Sequence, residues 1–353
     1  MLAACESLKT GAIAVSHLAN VRYLCGFTGS NGVLLLTGRG ATFYTDPRYD
    51  IQSAQECDCA VKVVTGPVWE AVAKDVRRKR LTSLALESEH LSHAQWTALA
   101  KEFGKAVKLA EAKGVVEGLR AVKSPDEVAR IRKAVLLGSA AYEKALALVS
   151  EGMTEQQVAA EIDHAMRLLG AEGPAFETIV AAGKRSALPH ARPTGAKIRR
   201  NQLLLVDMGA CLDGYMSDMT RVAYVGRLGG RLSAQARRVY DAVLEAQLAG
   251  IAAVKPGARC KDVDAAARKS LKQRGLDRFF THSLGHGLGL EIHETPRLGG
   301  KVESELKPGM VVTIEPGVYL PEFGGVRIED TVLVTESGVE VLTPTSKEFA
   351  VIA

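Results

Sequence analysis

Two apolar stretches of this chain each carry a pair of carboxylates. In NQLLLVDMGACLDGYMSDMTRVAYVG, Asp207 and Asp218 stand eleven residues apart around the turn residues LDGY. In GMVVTIEPGVYLPEFGGVRIEDTVLVT, Glu315 and Glu329 stand fourteen apart around PEFGG. Both stretches read as β-hairpins. A carboxylate buried alone in an apolar strand is costly, so it shifts its pKa or finds a partner. For any one of these acids, a solvated strand face or a pairing with Arg221 or Arg327 is sufficient explanation. Four of them on two matching hairpins ask for more: brought together, they need a cation of more than one charge.

The histidines bear on that cation. The segment THSLGHGLGLEIHE, residues 281–294, holds His282, His286 and His293, three of the eight in the chain. Two imidazoles four apart form a metal pair only on a helix, which brings both rings to one face. Gly285, Gly287 and Gly289 oppose a helix, each costing roughly 1 kcal/mol relative to alanine in a helix interior. An extended segment packed close to other backbone fits better, and on it His282 and His286 share a face. Further metal ligands must then come from elsewhere in the chain. An oxygen-rich cluster with one imidazole suits manganese, iron, cobalt or zinc, not a thiolate-type structural zinc site. Carboxylates in excess of one ion's needs point to two ions, roughly 3.5 to 4 Å apart.

Elements to position these groups are legible on both sides. Over the first 110 residues, apolar strands (GAIAV, GVLLLTG, ATFYTD, AVKVVTG, SLALES) alternate with helical stretches (VWEAVAKDVRRKR, HAQWTALAKEF), the texture of a small α/β domain. Asp46 and Arg48 of TDPRY either reach the active site or hold a strand-to-helix turn. Ser124, Pro125 and Glu127 form a capping-box pattern that opens a long helix, and Gly152 with Thr154 marks a stop and a fresh start. We place the domain boundary between 115 and 116. Beyond it, an order of two helices and then strands appears twice: helices at 125–150 and 154–169 precede the first acidic hairpin, and helices at 233–253 and 260–275 precede the second. Such a duplication predicts one hairpin from each half in a common curved sheet.

Composition narrows the function classes. The chain has 353 residues, 47% hydrophobic and 24% charged, enough for two cored domains. Its net charge of +5 is small against 45 basic and 40 acidic residues, and apart from VRRKR at 76–80 the basic residues are scattered, which argues against nucleic acid as a partner. No apolar run reaches the roughly 18 residues of a membrane span, and the N-terminal stretch lacks the pattern of a secretory signal; a cytoplasmic location is expected. The six cysteines (Cys5, Cys25, Cys57, Cys59, Cys211, Cys260) are dispersed and match no zinc-finger spacing, so reduced thiols are expected. His17, His90, His93 and His164 read as packing or surface residues, and Trp69 and Trp96 as core.

Taken together these motifs resemble the pita-bread metallopeptidases, in particular their Xaa-Pro aminopeptidase and prolidase branch, over almost the whole chain. NVRYLCGFTGSNG and FYTDPRY look like a creatinase-type N-terminal domain. FETIVAAGKRSALPHARPT, VDMGACLDGYMSDMTRVAYVG, HSLGHGLGLEIHETP, LKPGMVVTIEPGVYLP and GVRIEDTVLVT follow the family pattern in order. The implied fold is α/β plus α+β: a creatinase-type α/β domain over 1–115, then a pita-bread catalytic domain over 116–353.

The resemblance implies five metal ligands: Asp207, Asp218, His286, Glu315 and Glu329. Asp218 and Glu329 would bridge two divalent ions, most simply manganese, with cobalt or zinc as alternatives. A hydroxide between the metals would attack the bond between an N-terminal residue and a following proline. His190, His282 and His293 would line the pocket and stabilise the tetrahedral intermediate, Glu315 would also shuttle a proton, Arg327 would orient the carboxylates, and Tyr319 would contact substrate. With three pocket histidines, activity is expected to fall on the acid side at roughly pH 6 to 7.

The implied activity is a metallo-aminopeptidase acting on peptides with proline second. FTGSNG tilts the choice to the aminopeptidase; the alternative is a prolidase, which requires a free substrate C-terminus. A methionine aminopeptidase would lack the N-terminal domain, and creatinase keeps the fold without metal. A metal-free binding module of the same fold would have lost the ligands. A homodimer is the default oligomer.

Overall fold

The computed structural model describes residues 10–352, so Cys5 lies outside the described residues. The chain divides into two compact units between Arg120 and Ala121. The helix Val115–Arg120 falls in the first because Val116 packs with Val21 and Cys25 there.

The first unit is built on one mixed sheet. Strands β1 (Ala12–Val15), β2 (Val33–Thr37), β3 (Gly40–Thr45), β4 (Ala60–Val63), β5 (Ser83–Leu86) and β6 (Lys108–Glu111) lie in the order β4-β3-β2-β1-β5-β6. β1 to β3 pair antiparallel, and the outer strands pair parallel. The strands are apolar on both faces because both are covered. Ala12 and Ala14 meet the helices Val68–Arg78 and His93–Phe103. Ile13 and Val15, one step out of phase, meet the helices Leu18–Cys25 and Val115–Arg120. In chain order these helices, with Asp50–Glu56, are α1 (Leu18–Cys25), α2 (Asp50–Glu56), α3 (Val68–Arg78), α4 (His93–Phe103) and α5 (Val115–Arg120). Trp69 and Trp96 are partly buried against the α3–α4 side. TDPRY closes as a strand-to-helix turn, in which Asp46 accepts hydrogen bonds from the Arg48 backbone and guanidinium.

The second unit repeats a helix pair followed by strands. In its first half come α6 (Pro125–Leu146), α7 (Glu155–Leu168), β7 (Gly173–Pro174), β8 (Ile179–Ala182), β9 (Gln202–Met208), β10 (Ala210–Leu212), β11 (Tyr215–Met216) and β12 (Met219–Val225). In its second come α8 (Arg231–Ala253), α9 (Cys260–Gln273), β13 (Gly285–Gly287), β14 (Glu294–Leu298), β15 (Val311–Ile314), β16 (Gly317–Leu320), β17 (Gly324–Arg327), β18 (Asp330–Val334), β19 (Val339–Val341) and β20 (Ala350–Ile352). The first helix of the pair starts on the expected box, in which Ser124 and Glu127 cap each other's backbone N–H groups, and the second starts on a further box formed by Thr154 and Gln157.

The two acidic hairpins differ from the expected common sheet. β9 and β12 pair antiparallel within a sheet ordered β20-β12-β9-β8, whereas β15 and β18 pair within a second sheet ordered β14-β13-β15-β18-β19. Past the carboxylates each hairpin leaves its sheet, continuing as β10–β11 in one case and as a separate two-stranded β16–β17 ribbon in the other. The two sheets are tied end to end by single bonds: Glu329 N–H donates to the Thr220 carbonyl at 3.2 Å, and Thr331 Oγ1 donates to the Asp218 carbonyl at 3.0 Å. Leu204 and Val206 of β9 face α6 and α7, while Leu203 and Leu205 face the core shared with α8 and α9, so the strand that carries Asp207 is clamped on both faces. Among the described residues no helix is long and apolar enough to cross a membrane.

Candidate active site

Three of the four carboxylates sit beside strand ends, and the imidazole sits at a register shift in β13. Asp207 is opposite Thr220 in the β9–β12 ladder, and Asp218 lies one residue ahead of β12. Glu315 directly follows β15, and Glu329 directly precedes β18. Asp218, Glu315 and Glu329 thus flank strand ends, whereas Asp207 is held inside its ladder, paired with Thr220 of β12 and Ile179 of β8. His286 is carried by β13, between β14 and β15. Glycine is required around it, since a Cβ on Gly285 would lie 1.9 Å from the Thr313 carbonyl oxygen and one on Gly287 would lie 2.4 Å from that of Thr295. This is the close backbone approach expected of an extended glycine-rich segment.

All five residues line one cavity of about 720 Å³, together with His190, His282, His293 and Arg327. Oxygens of Asp218 and Glu329 and a ring nitrogen of His286 lie within 4.8 Å of one another. His286 Nε2 is 3.6 Å from both Asp218 Oδ2 and Glu315 Oε1. Burial, and then the charges of Glu329, Asp207 and Glu315, push the Asp218 carboxyl well above its usual range. Burial, then Glu329, does the same to Glu315, and burial with Asp207 beside it raises Glu329 to about 8. Acids in such a cluster cannot all ionise without a compensating charge.

One cation is supplied by the chain. Arg327 is buried and branches into the cluster, its Nη2 donating to Asp207 Oδ2 at 2.5 Å and its Nε to Thr220 Oγ1 at 3.0 Å. Thr220 Oγ1 in turn donates to Glu329 Oε2 at 2.7 Å. Arg221, the other arginine considered as a partner for these acids, pairs with none of them. It holds Asp330 at 2.8 Å and donates to the backbone carbonyls of Glu329, Thr345 and Ser346, fixing the strand end from behind.

Three observations show that these residues fit divalent cations. Asp207 Oδ1 and Glu329 Oε1 are buried without a hydrogen-bond partner, which is costly for a carboxylate oxygen. His286 Nδ1 is 3.0 Å from the Gly287 carbonyl oxygen, an atom that only accepts, so Nδ1 carries the proton and Nε2 turns a lone pair toward two carboxylates. At 3.6 Å that nitrogen makes no hydrogen bond to either. A metal-ligating histidine is oriented in this way by a backbone acceptor on its other nitrogen, and the oxygen-rich donor set with one imidazole is that of a hard or borderline divalent ion.

The three pocket histidines divide into two kinds. His282 Nδ1 donates to the Ser283 carbonyl at 2.8 Å, so its Nε2 accepts, at 2.9 Å, from the Tyr319 hydroxyl; the Tyr319 oxygen accepts from Arg327 Nη1 at 2.7 Å. Both ring nitrogens of His282 are therefore engaged within the protein. Tyr319, expected to contact substrate, stands behind His282 and off the cavity lining. His190 and His293 both line the cavity with neither ring hydrogen-bonded to another described residue; His293 packs edge-on against His286 with ring centroids 4.4 Å apart. Burial, then the charge of Arg327, lowers His282 to about 4. Burial also lowers His286 to about 4 and brings His293 down.

Sequence reasoning missed Thr220, a bridge between Arg327 and Glu329, which nothing in its local sequence marks. It also missed Arg297, in β14 four residues after His293. Arg297 lines the cavity and uses only Nε, donating to Ser283 Oγ at 2.8 Å. Phe176, Ile179 and Ile292 supply apolar lining.

Comparison with known proteins agrees with this geometry. Residues 129–336 match the model of metallopeptidase family M24, and residues 1–122 match that of the Creatinase/Prolidase N-terminal domain. The chain is 38% identical to an Xaa-Pro dipeptidase of Pyrococcus furiosus over 96% of its length and 94% of that protein's. Among solved structures it is similar to an Xaa-Pro dipeptidase from Bacillus anthracis (TM-score 0.95, 35% identity, 99% of this chain and 97% of the other). It is also similar to an X-Pro aminopeptidase from Thermotoga maritima (TM-score 0.91, 34% identity, 99% and 100%). The chain thus belongs to metallopeptidase family M24, its pita-bread catalytic unit preceded by a Creatinase/Prolidase N-terminal domain.

Proposed function

We propose that this enzyme is an Xaa-Pro aminopeptidase that would hold two divalent ions through Asp207, Asp218, His286, Glu315 and Glu329. Manganese is the metal proposed, with cobalt and zinc as alternatives. The observation that carries the reading is the convergence of these five groups on one cavity, with two carboxylate oxygens and one imidazole lone pair left without partners. When bound, the ions supply Lewis acidity, polarising the scissile carbonyl and lowering the pKa of the attacking water.

The chain's own residues do the rest. Arg327 fixes Asp207 and, through Thr220, Glu329. His190 and His293 offer unengaged ring nitrogens to the oxygen on which charge develops, where preorganised donors contribute most. Glu315, at the cavity and half-buried, is placed to carry a proton between the attacking water and the leaving nitrogen. Phe176, Ile179 and Ile292 give the proline ring an apolar surface. A homodimer and a cytoplasmic location complete the proposal.

A second reading, an Xaa-Pro dipeptidase, is favoured by Arg297. Its terminal guanidinium nitrogens have no acceptor among the described residues and stand at the cavity, where a planar fork of donors suits a free substrate carboxylate. Parallel hydrolysis of Xaa-Pro dipeptides and Xaa-Pro-Yaa tripeptides separates the two: comparable kcat/KM supports the aminopeptidase, and strong preference for the dipeptide replaces it with the dipeptidase.

A further inference from the structure

The first unit carries a group of three thiols that the peptidase chemistry does not use. Cys25 is the last residue of α1 and is buried; Cys57 directly follows α2, and Cys59 directly precedes β4. Backbone geometry brings them together. Gly26, at φ 83°, lies so close to the end of α2 that a Cβ there would sit 2.7 Å from the Glu56 carbonyl oxygen. The Glu56 carboxylate pins the same joint, accepting from Thr28 N–H at 2.8 Å and Thr28 Oγ1 at 2.7 Å. Cys57 leaves α2 in an extended conformation, at φ −88° and ψ 130°, and the chain bends at Asp58 and Cys59 before entering β4. Cys57 and Cys59 both pack against the cluster that contains Cys25, Phe27 and Phe43, and the three thiols lie near enough to influence one another's ionisation.

We propose that Cys25, Cys57 and Cys59 form a reversible dithiol–disulfide site, in which Cys25 pairs with either partner when the protein meets a low-molecular-weight disulfide. The half-buried Cys57 or Cys59, as thiolate, attacks one sulfur of the small disulfide; that S–S bond breaks, a mixed disulfide forms and one small thiol leaves. Cys25, as thiolate, then attacks the protein sulfur of the mixed disulfide and expels the second small thiol. Two protein thiols give up two electrons and two protons, which end on two molecules of small thiol. Burial raises Cys25 to about 12 and the other two to about 11, so little thiolate is present near neutral pH and the exchange is slow there. The third thiol makes the bond mobile: whichever of Cys57 and Cys59 is left over can displace the other from Cys25.

The test uses the full chain, incubated with excess oxidised glutathione, alkylated under denaturing conditions and mapped by peptide mass spectrometry. We expect loss of two thiols without retained glutathione, Cys25–Cys57 and Cys25–Cys59 peptides, and full recovery on reduction with dithiothreitol. Cys57→Ser directs the bond wholly to Cys59, and Cys59→Ser directs it to Cys57. The Cys57→Ser/Cys59→Ser double variant, which leaves the buried Cys25 in place, forms no bond at Cys25. Unreacted thiols, a stable mixed disulfide on the wild type, a Cys57–Cys59 bond, a bond to Cys5, Cys211 or Cys260, or a bond between two chains overturns the proposal.

Discussion

Arg327 and Asp207 are joined by an Nη2–Oδ2 hydrogen bond of 2.5 Å inside a cluster otherwise made of acids. That bond leaves Asp207 Oδ1 buried without a hydrogen-bond partner, so the arginine orients the carboxylate while the oxygen proposed to hold a metal stays unengaged. Replacing Arg327 by methionine removes one member of a buried pair, a change that costs ~3–5 kcal/mol. We expect a lower melting temperature together with a roughly 10- to 100-fold weaker metal affinity or activity, the range for partners that orient metal ligands. Isothermal calorimetry of metal binding beside differential scanning calorimetry checks both; unchanged metal affinity in Arg327→Met would show that the guanidinium does not position Asp207.

Tyr319 links the same arginine to His282. Tyr319→Phe leaves His282 Nε2 and Arg327 Nη1 each short of one buried hydrogen bond, at a cost of ~1–3 kcal/mol for an unsatisfied group. The expected signature is a fall in kcat with KM nearly unchanged, since Tyr319 is off the cavity lining. A rise in KM with kcat preserved would return Tyr319 to direct substrate contact.

The pH dependence of metal-free stability has a defined sign. Glu329 is raised to about 8, and Asp218 and Glu315 are raised as well. Between the ordinary carboxylate range and those values the folded chain binds more protons than the unfolded one, and stability is lost as pH rises through the folded pKa. His282 and His286, lowered to about 4, act oppositely, adding stability as pH rises from about 4 to their unfolded value of roughly 6.5. Above that the histidine contribution is constant. The melting temperature of chelator-treated protein should therefore fall from pH 6.5 to 8 by more than that of the metal-loaded protein. A metal-free melting temperature that is flat or rising over that interval contradicts the account.

Much of this was legible before the coordinates. The four carboxylates on two hairpins, the helix pairs and the extended glycine-rich segment follow from residue type and spacing, because each depends on local chemistry, whereas the choice of His286 as the imidazole beside them was implied by the family resemblance alone. The expected single sheet failed because both hairpins change sheets at their carboxylates, a tertiary event that an apolar-polar pattern does not encode. Spacing likewise does not separate His282 from His190 and His293. Only the coordinates show that the Ser283 carbonyl and the Tyr319 hydroxyl occupy both nitrogens of His282. Burial lowers the pKa values of His282 and His286 to about 4, a shift that the sequence does not reveal. β6, four residues reading KLAE at a sheet edge, was too short and too polar to stand out.

Arg297 decides between the two substrate readings at residue level. A charge-assisted hydrogen bond contributes ~1.5–3 kcal/mol, so under the dipeptidase reading Arg297→Ala lowers kcat/KM for an Xaa-Pro dipeptide by roughly 10- to 100-fold and leaves an Xaa-Pro-Yaa tripeptide little changed. Equal losses on both substrates would remove the carboxylate role.

The central claim is that these acids are held together by two cations, and metal content measures it directly. After saturation with manganese and removal of free ions, elemental analysis should find two equivalents per chain, with fewer in Glu329→Gln. A wild-type chain that saturates at one equivalent, or that hydrolyses Xaa-Pro peptides with none, contradicts it.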